Sequence, residues 1–79
     1  MKEKLTEVKV LYFHDQGNTG QINIAGLNHK SEPTERTIDI NDSQEMHNRH
    51  LLILAIARLT GATVKSVTLD GDMVECIAM

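Results

Sequence analysis

The longest regular segment that the sequence predicts is one helix over residues 43–60. Asp42 is placed to cap the free amides of the first turn, and Glu45, three residues later, completes a capping box. Gly61 follows the last helical residue, where a left-handed C-cap is expected. Residues 51–57 are all apolar, so the helix has more apolar circumference than a small sheet can cover and needs burial on more than one side.

Stretches of alternating apolar residues before and after the helix predict strands. The predicted strands are residues 5–14, 21–27, 36–40 and 63–69. Turn-forming residues 15–20 join the first two strands as a hairpin, the polar residues 28–35 join the second to the third, and Asp70-Gly71 ends the fourth. The order strand, strand, strand, helix, strand predicts an α+β fold whose fourth strand, after a crossover, lies parallel to the first.

The segment after the fourth strand, residues 72–79, fits two structures. Val74 and Ile77 are three residues apart, as on a helix, but the segment is equally short enough for a strand. The spacing favours a short helix. Cys76 lies among apolar neighbours, where a thiol is normally buried and inert.

Composition limits the chain to one small domain with an aliphatic core. Its 79 residues are 41% hydrophobic but only 3% aromatic. A domain of this size buries roughly 60% of the surface that its unfolded chain exposes, so pairing with another chain adds much to its stability. We therefore expect a homodimer or a complex with a protein partner.

Charge and cysteine content argue against several classes of function. The net charge is −3 and no basic stripe is present, which disfavours nucleic-acid binding. A single cysteine rules out an intrachain disulfide and agrees with a cytoplasmic location. The charged first six residues lack a signal-peptide core, and the apolar run at 51–57 is far too short to cross a bilayer, so no membrane role is expected.

One motif in the helix is shared with a known family. It consists of Asn48-Arg49, Leu52, Ala55-Ile56 and Leu59. Its spacing resembles the first long helix of ribonuclease H, and with the flanking strands the resemblance extends over about residues 8–74. The resemblance implies a truncated ribonuclease H-like β-β-β-α-β sheet with one long helix packed on it. It also places an aspartate at the end of the first strand, Asp15, and another at the end of the strand after the helix, Asp70.

Departures from the family imply that its activity is lost. Leu51 stands where the family has a metal-binding glutamate, and the family's fourth carboxylate would lie beyond Met79. Hydrolysis with two metal ions needs several carboxylates to hold the cations. The alternative is a Mg²⁺-dependent nuclease, or a nucleic-acid-binding protein, that uses Asp15 and Asp70 with help from Asp72. Aspartates are also preferred in turns, and this simpler interpretation is favoured.

Histidines offer a second possible metal site. His47 and His50 are three residues apart on the helix, and His14 lies beside the end of the first strand. Imidazole is an accepted ligand for zinc and other transition metals. Histidines near the start of a helix are more often solvated or hydrogen-bonded, and that interpretation is preferred.

The last expectation concerns a contact surface. If the sheet ends at the fourth strand, this strand is an open edge, and its apolar residues join those of the tail in one patch. The predicted contact residues are Val64, Val67, Leu69, Val74 and Ile77. The other possibility is that the tail folds back and covers the patch. The sequence therefore predicts a non-catalytic module that binds a protein or associates with itself.

Overall fold

A computed structural model describes the backbone of residues 2–16, 19–39 and 45–79, and their side chains except those of residues 13–16 and 19. Its elements are β1 (Lys2–Gln16), β2 (Thr19–Leu27), β3 (Pro33–Asp39), α1 (Glu45–Thr60), β4 (Val64–Asp70) and β5 (Met73–Ala78). The strands form one sheet in the order β3-β2-β1-β4-β5, and every neighbouring pair is antiparallel. The chain is thus a small α+β domain, with the helix and the first four strands where the sequence predicts them.

The short helix favoured for the tail is wrong, because the tail forms strand β5. Gly71 adopts a left-handed backbone, with φ of 61°, and reverses the chain directly after β4. The tail then pairs along β4, with Val74 opposite Leu69 and Ile77 opposite Val67. Cys76 is exposed, contrary to the expectation that its thiol is buried.

The expected parallel orientation of the fourth and first strands is also wrong. Lys2 lies opposite Asp70 and Val8 lies opposite Val64, so β4 runs antiparallel to β1. The helix ends beside the middle of β1, where the Nε of Arg58 donates a hydrogen bond of 3.0 Å to the Leu11 carbonyl. Only residues 61–63 separate α1 from β4. Three residues are too few to carry the chain to the start of β1, where a strand parallel to β1 would have to begin.

Strand β1 changes partners along its length. Its residues 2–8 pair with β4 and its residues 6–16 pair with β2, with bulges in the second ladder. Glu7 lies at the first bulge with a φ of 51°. Because an extra residue there reverses the alternation of side chains, Leu5 and Val8 both enter the same core although they are three residues apart.

Helix α1 covers one face of this sheet and completes the core. Its buried side chains are His47, Leu51, Leu54 and Ala57, which recur at helical spacing. They pack with apolar residues of the strands, which are Leu5, Val8, Ile22, Ile24, Ile38, Val64, Val67, Leu69 and Val74. Position 26 has no room for a side chain, because a Cβ on Gly26 would lie 2.8 Å from the carbonyl oxygen of Thr6.

The helix ends as predicted, at Gly61, which has a φ of 72°. The amide of Ala62 donates to the carbonyl of Ala57 at 3.0 Å, which is the outer bond of a Schellman motif. The predicted cap, Asp42, lies outside the described residues. Glu45 opens α1, and its carboxylate accepts a hydrogen bond of 2.9 Å from Arg49 on the next turn.

An ion pair joins β1 to β5 across β4. The Nζ of Lys2 donates to the Oε1 of Glu75 at 2.7 Å. This hydrogen bond, together with the negative charges of Glu75 and Asp70, raises the pKa of Lys2 above its ordinary value. Both side chains are well exposed, so the pair adds little to stability.

Within the described part of the chain, no helix is both long enough and apolar enough to cross a membrane.

Candidate functional site

The two aspartates of the predicted Mg²⁺ site lie at opposite ends of β1. Asp15 pairs with Gly20 near the end of β1, whereas Asp70 pairs with Lys2 at its start. Twelve residues of strand lie between the two positions, so at about 3.3 Å per residue the two aspartates are far apart even with the bends in β1. The prediction that the two carboxylates share a cation is therefore wrong. The physical reason is the antiparallel direction of β4, which carries Asp70 away from the end of β1 where Asp15 lies.

The predicted contact residues belong to the core instead of the surface. Val64 and Val67 are completely buried, and Leu69 and Val74 are each only 3% exposed. Ile77 is partly buried against them. The prediction failed because β5 covers the edge of β4, which corresponds to the alternative in which the tail folds back.

Both helix histidines bind one residue of β5. The Nδ1 of His47 accepts a hydrogen bond of 2.9 Å from the amide of Val74. The Nδ1 of His50 lies 3.0 Å from the carbonyl oxygen of the same residue and is the donor of that bond. His47 is buried and its Nε2 lies 2.7 Å from the carbonyl oxygen of Asp39, to which it donates.

These bonds favour the hydrogen-bonded interpretation of His47 and His50 over a metal site. The lone pair of the His47 Nδ1 is occupied by Val74, and the His50 Nδ1 carries a proton, so the rings do not offer two free nitrogens on one side. Among the described residues, no group of three or more histidine, cysteine, aspartate or glutamate side chains could hold a metal ion. The side chain of His14 lies outside the described part.

The contacts of His47 also show that the sheet is strongly curled. Asp39 ends β3 and Val74 lies in β5, and these are the two edge strands. In a flat sheet they would be about 19 Å apart, at about 4.8 Å for each of the intervening steps. One imidazole ring bonds to both, so the edges approach each other at the start of α1. The bulges in β1 supply the extra twist that this curvature needs.

A row of exposed apolar side chains lies on α1. Leu52 is 62% exposed, Ile53 40%, Ile56 52% and Leu59 85%. Leu52, Ile56 and Leu59 follow one another at helical spacing, and Ile53 is adjacent to Ile56 on the next turn. We call these four residues the outer helix face. Its side chains are aliphatic throughout, so it carries no ionisable group.

A shallow groove adjoins the outer helix face. Tyr12, Ala55, Arg58 and Leu59 line it, and its volume is about 360 Å³. Tyr12 is 45% exposed, so the apolar surface continues from the helix onto β1. The hydrogen bond from Arg58 to the Leu11 carbonyl fixes the helix against this part of the strand.

Sequence reasoning recognised the excess of apolar residues in the helix but did not locate its exposed apolar side. The signal that could have located it is the helical phase. Leu51 and Leu54 share a side with the buried His47, which leaves Leu52 and Ile56 on the opposite side. Three residues of the motif that resembles ribonuclease H, Leu52, Ile56 and Leu59, are exposed here and do not serve the core.

Comparisons with protein-family models, with curated proteins and with solved structures find no match to this chain.

Proposed function

We propose that this chain is a self-associating protein module whose contact surface is the outer helix face. The observation that carries the proposal is the exposure of four aliphatic side chains, contiguous on one helix of a small domain. Contiguous apolar patches of this kind usually belong to interaction sites, because leaving apolar side chains in water is unfavourable. A domain with so small a core also gains stability from burying them.

A second copy of the chain is the occupant that the pattern of side chains favours. If two α1 helices pack antiparallel about a two-fold axis between residues 55 and 56, Leu52 lies opposite Leu59 of the second copy. Ala55 then lies opposite Ile56 of the second copy, and its small side chain lets the helices approach closely. The same patch is used by both copies, as a two-fold interface requires.

Charge does not oppose this arrangement. The two helix dipoles run in opposite directions, which is favourable. Arg49 lies near one end of the outer helix face and Arg58 is tied to the Leu11 carbonyl, so no like charges are brought together at the centre of the interface. The groove beside Ala55 offers space for the exposed Ile56 of the second copy.

Variants of the outer helix face test the proposal. We expect Leu59→Lys and Ile56→Lys to weaken dimerisation on the order of a hundredfold each, because the two-fold axis places two charges in an apolar contact. Sedimentation velocity over a range of concentrations measures the change. Met79→Lys is the matched control, since Met79 is also apolar and 56% exposed but lies outside the outer helix face.

The control should dimerise like the unaltered chain. If all three variants sediment alike, the outer helix face does not mediate association. Circular dichroism establishes that each variant is folded, which is expected because the substituted side chains make little contact with the core.

The nuclease alternative has no support in the geometry. It needs Asp15 and Asp70 at one site, and these residues are at opposite ends of β1. Kinship with ribonuclease H remains a hypothesis based on the helix motif.

A further inference from the structure

The two edges of the sheet differ in their protection against strand addition. An edge strand presents unpaired amides and carbonyls to which another chain can add. Strand β3 begins with Pro33 and carries Glu35, Arg36 and Asp39, all of which are exposed and discourage such pairing. Strand β5 has the sequence MVECIA, with one charge and no proline. A short apolar strand of this kind readily pairs with copies of itself.

Strand β5 is instead blocked at Val74. In an antiparallel pair, the amide and the carbonyl of one residue point to the same side, either toward the neighbouring strand or away from it. The amide of Val74 donates to His47 and its carbonyl accepts from His50. Because both groups are bound to the helix, neither is engaged with β4, and both must lie on the outer side of β5.

We propose that His47 and His50 form an edge guard, which occupies the outward amide and carbonyl of Val74 and prevents β5 from accepting a strand of a second copy. A strand of six residues presents outward groups at roughly every second residue, about three positions in all. Occupying one of them, with two rings at the outer edge of the strand, leaves too few for a stable ladder. The bulge at Glu75, which has no partner on β4, further shortens the regular part of the edge.

By blocking strand addition at β5, the edge guard leaves the outer helix face as the surface for association. The proposal of an edge guard does not depend on association through that face. His47 has a second role that strengthens the guard. Its Nε2 donates to the Asp39 carbonyl at 2.7 Å, so the ring is held between both edge strands and cannot turn away from Val74. His50 is half-buried and bonds only to Val74 among the contacts described for its ring.

The test replaces each histidine by a residue that removes the bond and by one that keeps it. Leucine is close in size to histidine but cannot hydrogen-bond. Asparagine retains a polar atom near the position of Nδ1, so His50→Asn can still donate to the Val74 carbonyl and His47→Asn can still accept from the Val74 amide. All four substitutions are made in the Leu59→Lys background, which removes association through the outer helix face.

Cys76 provides a reporter that is specific for this edge. It is exposed on β5, and it is the only cysteine in the chain. Pairing of two β5 strands brings two Cys76 thiols close together, so a short thiol-specific bifunctional reagent links them. We expect His50→Leu and His47→Leu to give linked dimers. The asparagine variants should remain unlinked.

Two results would overturn the proposal. The first is that folded leucine variants stay unlinked at the same concentration. The second is that leucine and asparagine variants are linked equally, which would show that the hydrogen bonds are not responsible. If His47→Leu does not fold, His50→Leu decides the question, because it removes one bond at a half-buried position. Failure of the outer helix face to mediate association would leave the Cys76 result unchanged.

Discussion

At the scale of single residues, Glu7 shows most clearly how a local conformation sets the curvature of the sheet. It is not glycine, yet its φ is 51°, in the left-handed region that side chains disfavour. The bulge that it creates turns both Leu5 and Val8 into the core. Nothing in the sequence around Glu7 marks this conformation, because it depends on pairing with β2 and β4.

Substitutions of Glu7 should separate backbone strain from the chemistry of the side chain. We expect Glu7→Val to lower the free energy of unfolding by about 1–2 kcal/mol relative to Glu7→Gly, since a left-handed backbone costs a β-branched residue this much and costs glycine nothing. Urea denaturation measures both values. Equal stability of the two variants would mean that the left-handed bulge at Glu7 does not form.

The histidines illustrate what sequence can establish at this scale and what it cannot. The spacing of His47 and His50 shows that they lie near one another on the helix. Their function depends on Val74, which is 27 residues from His47 along the chain, and no local pattern connects the two.

At the scale of elements, local patterns were sufficient for the helix and for four strands. Caps and apolar periodicity are properties of neighbouring residues, so α1 and its end at Gly61 could be predicted from the sequence. The direction of β4 and the existence of β5 could not be predicted in this way. The direction of β4 depends on where α1 ends relative to β1, and β5 forms because β4 has an edge with which it can pair. Both depend on contacts between segments that are distant in the sequence.

Strand β5 should be essential to the fold. Deleting residues 72–79 removes Val74 from the core, leaves His47 and His50 without their partner and exposes the edge of β4. In a domain whose total stability is only about 5–15 kcal/mol, we expect the cooperative thermal transition to disappear. Circular dichroism across a temperature range measures it. Deleting only the exposed Met79 should leave the transition unchanged, and a shortened chain that still melts cooperatively would show that β5 is dispensable.

At the scale of the whole molecule, one helix is packed on a curled sheet and has two apolar sides. One side packs against the sheet, and the other, the outer helix face, is exposed to water. The sequence predicted an excess of apolar surface, because its total amount follows from composition. It did not locate the surface, because that required knowing that β5 covers β4 and that α1 lies over a five-stranded sheet.

The curl of the sheet also explains why association should use the helix. The two edges approach each other beneath the start of α1, and one ring bonds to both. Strand β3 is protected by charge and proline, and β5 by the edge guard. The outer helix face then remains as an apolar surface for a partner.

The measurement that tests this account most directly is the mass of the unaltered chain in solution by sedimentation equilibrium. The chain has a mass of 8.8 kDa. We expect twice that mass at high concentration and a return toward the mass of one chain on dilution, as association through a small two-fold interface requires. A mass of one chain at every concentration up to the millimolar range would contradict self-association through the outer helix face.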